Sequence, residues 1–484
     1  MKNFLFALLL APLAAFAAVE EIPITTHSAD ARLAFEAGQA ALDRGDGQQA
    51  NDLFRAAVAA DPDFTYAWVN LSNVTFSTEE FNAALRGGEQ GAGKASEGER
   101  LLLEFNQHFL DNDTGAQLDI ANRLTQKYPN SPRAWMILAA AQGALNQFAE
   151  QRATLEKVMA LAPGFSPAPF TLGGSYLFNQ PTDFAKAEKY YRQAIDIAPG
   201  VDMYYWALGD VYRGSNRLEE ARRYYQLALQ LDPKDLTAPI KLGHVNSFLG
   251  NYDEARADYD RGIAAAGPAN AGFLAPFKAL TYVYAGDPAT AVKKLEALVT
   301  DIDGFGAGTN QRLNAKVAAL TSAAQVAMWS GLEDDAARVL ATRSGLMREN
   351  AKRVGTPAFA NIQETQIAFF DGQLAAWRGD FKTAQQMAKK VAGLVAGENN
   401  ARKMEPYHEL LGLVALRQKN YKLAVSELRQ ADQTQLHNKY QLAQALEATK
   451  AADEAKRLYK DVALNNFNTV DFALLRSEAL KKAG

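Results

Sequence analysis

The chain has 484 residues, 48% hydrophobic and 22% charged, with Lys and Arg numbering 51 against 55 Asp and Glu. That length exceeds one compact core, the composition argues against both disorder and a membrane bundle, and a net charge of −4 lacks the basic footprint of a nucleic-acid binder. There are no cysteines, which excludes disulfides, thiol nucleophiles, thiolate metal sites and the lipid-attachment Cys of a tethered lipoprotein.

The first seventeen residues, MKNFLFALLLAPLAAFA, carry one Lys, an apolar run broken by Pro12, and the small-x-small triplet Ala15-Phe16-Ala17. They predict a signal peptide over 1–17, cleaved before Ala18, since the run falls short of the ~20 apolar residues that span a bilayer. Residues 18–30 follow as a linker. No later segment is apolar enough to span, so the mature chain is expected to lack a transmembrane segment and to be periplasmic or secreted.

From residue 31 the chain repeats itself. Residues 202–235, DMYYWALGDVYRGSNRLEEARRYYQLALQLDPKD, place Tyr205, Leu208-Gly209, Tyr212, Ala221, Tyr225, Ala228 and Pro233 at fixed offsets. Gly209, Ala221 and Ala228 let two antiparallel helices approach, Tyr212 and Tyr225 fill the space between them and the following unit, and Pro233 ends the second helix. In this spacing the chain resembles the tetratricopeptide repeat proteins.

The same register recurs on both sides. Residues 31–64 give Gly38, Ala50, Phe54, Ala57 and Pro62; residues 166–201 give Leu172-Gly173, Tyr176, Ala187, Tyr191, Ala194 and Pro199; residues 236–269 give Leu242-Gly243, Ala255 and Tyr259. Weaker copies fill 65–97, 98–131, 132–165 and 272–305. This is the N-terminal array, 31–300. DIDGFGAGTN at 301–310 reads as a hinge loop. A divergent array then runs over 311–484, its turns marked by Gly331, Gly372, Leu411-Gly412 and Ala443, with 343–362 and GENN at 397–400 read as longer loops. The last segment, NTVDFALLRSEALKKAG, predicts a capping helix with a basic end. The fold expected is all-α: a right-handed superhelical solenoid of about twelve tetratricopeptide-like helix pairs, the handedness being what the resemblance implies.

One stretch imitates a phosphate-binding loop. GGEQGAGKAS, residues 87–96, offers Gly88, Gly93 and Lys94, but residue 95 is Ala where a magnesium-binding hydroxyl is needed, and the preceding segment is a helix rather than a strand. Its glycines predict that the helix stops near Arg86, and Ser96 with Glu99 forms a capping box for the next. No nucleotide site is read here.

The five histidines, His27, His108, His244, His408 and His437, are scattered without metal-ligand spacing, and no nucleophile elbow or calcium loop occurs. No catalytic, cofactor or metal site is expected, and the chain is read as no enzyme. The resemblance instead turns unit positions 2, 5, 9, 12 and 13 toward a concave groove. It thereby names Tyr66, Asn73, Phe76, Phe170, Phe178, Trp206, Asp210, Arg213, His244, Phe248, Phe273 and Tyr284 as partner-binding. Lys is missing at position 5 of the units compared, so a clamp for acidic peptide tails is not expected. Aromatic and Arg side chains anchor interfaces. The expected function is an exported scaffold that binds a protein or peptide partner in an envelope-associated assembly; the alternatives are an accessory or substrate-presenting subunit of an envelope enzyme, and a binder of glycan such as peptidoglycan.

Overall fold

The computed structural model describes residues 21–75, 78–110, 113–235, 237–397 and 402–484, so the signal-peptide reading over 1–17 lies outside the described residues. All regular structure among them is helical. Six helix pairs come first: α1 (Ala29–Asp43) with α2 (Gly47–Ala60), α3 (Thr65–Asn73) with α4 (Thr78–Gly91), α5 (Glu97–Leu110) with α6 (Thr114–Lys127), α7 (Pro132–Ala144) with α8 (Phe148–Leu161), α9 (Pro167–Phe178) with α10 (Phe184–Ile197), and α11 (Asp202–Gly214) with α12 (Leu218–Leu231). Six more follow: α13 (Thr237–Leu249) with α14 (Tyr252–Ala265), α15 (Gly267–Tyr284) with α16 (Pro288–Asp301), α17 (Thr309–Trp329) with α18 (Glu333–Val354), α19 (Pro357–Trp377) with α20 (Phe381–Leu394), α21 (Glu405–Arg417) with α22 (Tyr421–Leu428), and α23 (Leu436–Ala448) with α24 (Ala452–Ala463). The terminal α25 (Val470–Ala483) ends with Lys481 and Lys482 in its last turn, where cations meet the negative end of the helix dipole. The twelve pairs and the closing helix are those the spacing predicts.

Several hairpins are locked by a ring set against a glycine. A Cβ added to Gly209 would lie 2.5 Å from Tyr225 Cε1, and one added to Gly243 would lie 2.6 Å from Tyr259 Cε1. Tyr225 and Tyr259 are fully buried, so the missing side chain is the space the ring fills. Turns within hairpins carry a second periodic mark: Gly45, Asn146, Asn216, Gly250, Gly286, Gly331, Gly379, Lys419 and Lys450 all have positive φ. A third is a hydrogen bond from the first helix back to the proline that closes the previous unit, seen from Trp68 to Pro62 O at 2.8 Å, Trp135 to Pro129 O at 2.9 Å and Tyr205 to Pro199 O at 3.0 Å.

The structure corrects two local readings. Helix α4 does not stop near Arg86 but runs on to Gly91. Its glycines serve close packing: a Cβ on Gly87 would strike the Trp68 ring at 2.5 Å and one on Gly91 would sit 2.0 Å from Asp63 O. The capping box is present as read, with Glu99 N donating to Ser96 Oγ at 3.2 Å and Ser96 N to the Glu99 carboxylate at 2.7 Å; Lys94 meets Asp63 at 2.5 Å. The second correction is at 343–362, which is helical apart from the turn between α18 and α19, because Arg343, Ser344, Met347 and Asn350 share one buried face. Of the loop at 397–400, only Gly397 is described.

The chain forms two compact units, Met1–Ala207 and Leu208–Gly484, the division falling within α11. In the first, a core of Phe35, Phe54, Phe64 and Tyr66 continues into Leu101, Leu124 and Tyr128, and Arg133 at the start of α7 forms a two-pronged ion pair with Asp43 at the end of α1, at 3.1 and 2.7 Å. In the second, α15 to α19 share a core with Ala473 of α25. The 301–310 segment lies inside this unit as a 3-10 turn whose Ile302 is buried with Leu298, Phe305, Ala315 and Ala319.

Because Tyr259 leaves no space, Gly243→Ala is expected to lower stability by about 1–3 kcal/mol, read as a shifted urea midpoint. An unchanged midpoint would show that the ring contact is dispensable.

Candidate functional site

In the second unit, α11, α13 and α15 line up polar and aromatic side chains along one face, against the irregular segment 464–469 and the start of α25. Asp210 lies at the centre of a buried charge cluster. Its carboxylate accepts from Arg213 at 2.9 Å, Tyr225 OH at 2.7 Å and Lys241 at 2.5 Å. Burial alone would raise this carboxyl, but Lys241 and Arg213 outweigh it and hold it below the usual range. Two cations thus share one anion, and Arg213 also stacks over the Phe467 ring at 4.8 Å.

Next along the face sits His244. Burial, reinforced by Arg213 and Lys241, drives its imidazole well below the ordinary value, so the ring is neutral and offers a lone pair. That lone pair is used: Asn468 Nδ2 lies 3.0 Å from His244 Nδ1 and 2.9 Å from Tyr259 OH, while Asn468 Oδ1 accepts from Tyr284 OH at 2.8 Å. The Asn468 amide is therefore held at both ends by groups from two helix pairs. Asn466 Nδ2 reaches Asn216 at 3.3 Å, and Phe248 packs edge-on against Phe472 and Tyr284 with centroids 5.1 and 5.7 Å away.

Of the twelve residues named from the sequence, Asp210, Arg213, His244, Phe248 and Tyr284 are brought together here, and what they hold is the chain's own C-terminal segment. Phe273 on α15 is 43% exposed. In the first unit Tyr66 is buried on Phe35, at 4.8 Å between centroids, and Phe170 packs on Tyr191 and Tyr204. Asn73 accepts from Asn106 at 2.8 Å, Trp206 is half-buried, and Phe178 is 54% exposed. Phe76 lies outside the described residues.

The first unit also holds an extended segment. Thr25 donates through its backbone N and its hydroxyl to Glu99, at 3.1 and 2.5 Å, and Ser96 Oγ donates to Pro23 O at 3.3 Å. Ile22, 2% exposed, is buried in the core near Tyr128.

A buried group that sequence reading passed over ties α25 down. His437 Nδ1 lies 2.7 Å from Asp471 and Nε2 lies 3.0 Å from Glu409, whose carboxylate also accepts from Gln373 and Asn438. Burial works against the charged ring, but the two carboxylates outweigh it and raise the imidazole well above its ordinary value. Both ring nitrogens are taken, so the three groups do not converge on one point, and among the described residues no cluster suited to a metal ion occurs. The available signal was periodic: the three residues fall at positions 2 or 5 of successive first helices, spaced by 28 and 34 residues.

Family profiles described as tetratricopeptide repeat match residues 35–90, 178–200, 203–235 and 240–267, and the chain carries tetratricopeptide repeats. The peroxisomal targeting signal receptor of Kluyveromyces lactis is 27% identical over 207 residues, covering 42% of this chain and 36% of the receptor; the chain thus spans about a third of that relative's length. Among solved structures, the APC/C hetero-tetramer Cut9-Hcn1 aligns with 94% of this chain and 76% of its own at 15% identity and a TM-score of 0.42. YrrB, a TPR protein with an unusual peptide-binding site, aligns with 40% of this chain and 97% of its own at 18% identity and a TM-score of 0.30. Among the described residues no helix is long and apolar enough to cross a membrane.

The His437 cluster carries a pH dependence with a defined sign. A histidine whose folded pKa exceeds its unfolded value of ~6.5 contributes stability that is complete below that value and lost as pH rises through the folded one. His437→Gln is expected to cost about 3 kcal/mol at pH 6. The difference between wild type and variant should then shrink at alkaline pH, as measured by urea midpoints from pH 6 to 10. A gap independent of pH would refute a charged His437.

Proposed function

We propose that this chain is a non-enzymatic, exported scaffold that holds protein partners in an envelope-associated assembly. Tetratricopeptide repeats in general serve protein binding. The observation that carries the reading is the face of α11, α13 and α15, which grips an extended segment by its side-chain amides and rings. A surface that orients Asn468 from both ends has the donors, acceptors and aromatic walls that recognition of an extended peptide requires. Export rests on the leader sequence at 1–17 and its small-x-small triplet.

Two measurements test this. Photo-crosslinking side chains placed at Phe178 and Phe273, the two most exposed of the named aromatics among the described residues, should yield discrete protein adducts in living cells, while the same probe at exposed Leu423 should not. Adducts to glycan alone would favour polysaccharide binding, and a catalytic protein among the adducts would make the chain an enzyme's accessory subunit. Mass spectrometry of the purified chain should find Ala18 as its first residue, in material released by osmotic shock; an intact Met1 would end the export proposal.

A further inference from the structure

Besides the filled face, the second unit contains a cleft of ≈470 Å³ at its edge, where the ends of α13 and α15 and the start of α14 meet Trp329 of α17 and the outer side of α25. That volume suits a small ligand or one bulky residue. Its walls are Phe248, Tyr252, Tyr284, Trp329 and Leu480, and its one charged side chain is Arg476.

Arg476 is the anomaly. The guanidinium lies over Phe248 and Phe472, 5.6 Å from each centroid, and burial pushes it below its ordinary value. Nη1 donates to Phe248 O at 3.2 Å. The buried Nε–H has no acceptor, and no residue lining the cleft is acidic. Two other cavities of the same unit behave differently. In one, Lys278 meets Asp260 and Arg256 meets Asp253; in another, Lys482 meets Glu447. In the aromatic cleft a cation lines the wall with no carboxylate among the lining residues.

With Nη1 engaged and Nε enclosed, Nη2 is the group left to donate to an anion in the cleft, and the guanidinium supplies the opposite charge. An unpaired buried charge costs stability, and an anion carrying an apolar body would both balance Arg476 and fill the aromatic walls. We infer that this cleft binds a carboxylate borne on an aromatic or bulky apolar group, as at the free C-terminus of a peptide ending in such a residue. The inference rests on reading the chain as a holder of peptides and adds the end group it selects. The guanidinium comes from the closing helix, outside the repeats.

Calorimetry with the full mature chain tests it, using acetyl-Ser-Gly-Ser-Gly-Ala-Phe as the free acid and as the C-terminal amide, with 3-phenylpropanoate as a third probe. The acid is expected to bind at least tenfold more tightly than the amide. Arg476→Gln should bring the acid down to the level of the amide, and Arg476→Lys, which keeps the charge without the planar guanidinium over the rings, should fall between. Binding of 3-phenylpropanoate as tight as that of the peptide acid supports the same site with small acids as its source. Equal binding of acid and amide by the wild-type chain overturns the carboxylate site while leaving peptide holding intact, and needs no variant to be folded. Failure of both acids to bind overturns it outright.

Discussion

A helical hairpin of about 34 residues buries one side of each helix against its partner and leaves the other side apolar, so its stability depends on what is stacked upon it. In this chain the dependence is concentrated at one contact. Tyr225 and Tyr259 of the second helices fill the space vacated by Gly209 and Gly243 of the first, and each ring is fully buried. Once that contact fixes the separation of two helices, the left-handed turn residue and the proline-directed hydrogen bond set where the next hairpin begins.

Such stacking creates a problem at its boundaries, and the chain solves it with its own ends. In the first unit residues 22–26 cover Tyr128 and cap Glu99; in the second, residues 466–476 are laid along the first helices and α25 closes the last pair. The contacts differ in kind. Ile22 contributes burial, whereas Asn468 contributes hydrogen bonds to His244, Tyr259 and Tyr284, its amide oxygen accepting from the Tyr284 hydroxyl.

The repeats were legible because their physical cause is local: a glycine, a ring and an alanine at fixed offsets within one hairpin. Glycine itself was the misleading signal. Read by helix propensity, Gly87, Gly88 and Gly91 end α4; read by packing, they admit Trp68 and the backbone of Asp63, and packing prevails because it is worth more than ~1 kcal/mol per residue. The 343–362 segment was misread for a related reason, since Arg348, Glu349, Lys352 and Arg353 lie on the outer side of a helix whose Arg343, Ser344 and Met347 face inward. Periodicity could place Asp210, His244 and Tyr284 on one face, but nothing local to them announces Asn468, which is 224 residues from His244.

Three cation sites of the second unit show what such long-range closure decides. At Asp210, one carboxylate serves Arg213 and Lys241. At His437, two carboxylates serve one imidazole. Both clusters are closed by residues of neighbouring elements, so that each charge faces an opposite one within the fold. Arg476 belongs to neither arrangement, although it is carried by the same helix as Asp471: one residue of α25 completes a buried ion cluster and another leaves a guanidinium edge over aromatic rings. A helix whose only task was to cover the last repeat would be served by an apolar side chain at that position, at no desolvation cost. The charge at Arg476 is therefore the feature of α25 that covering alone does not explain.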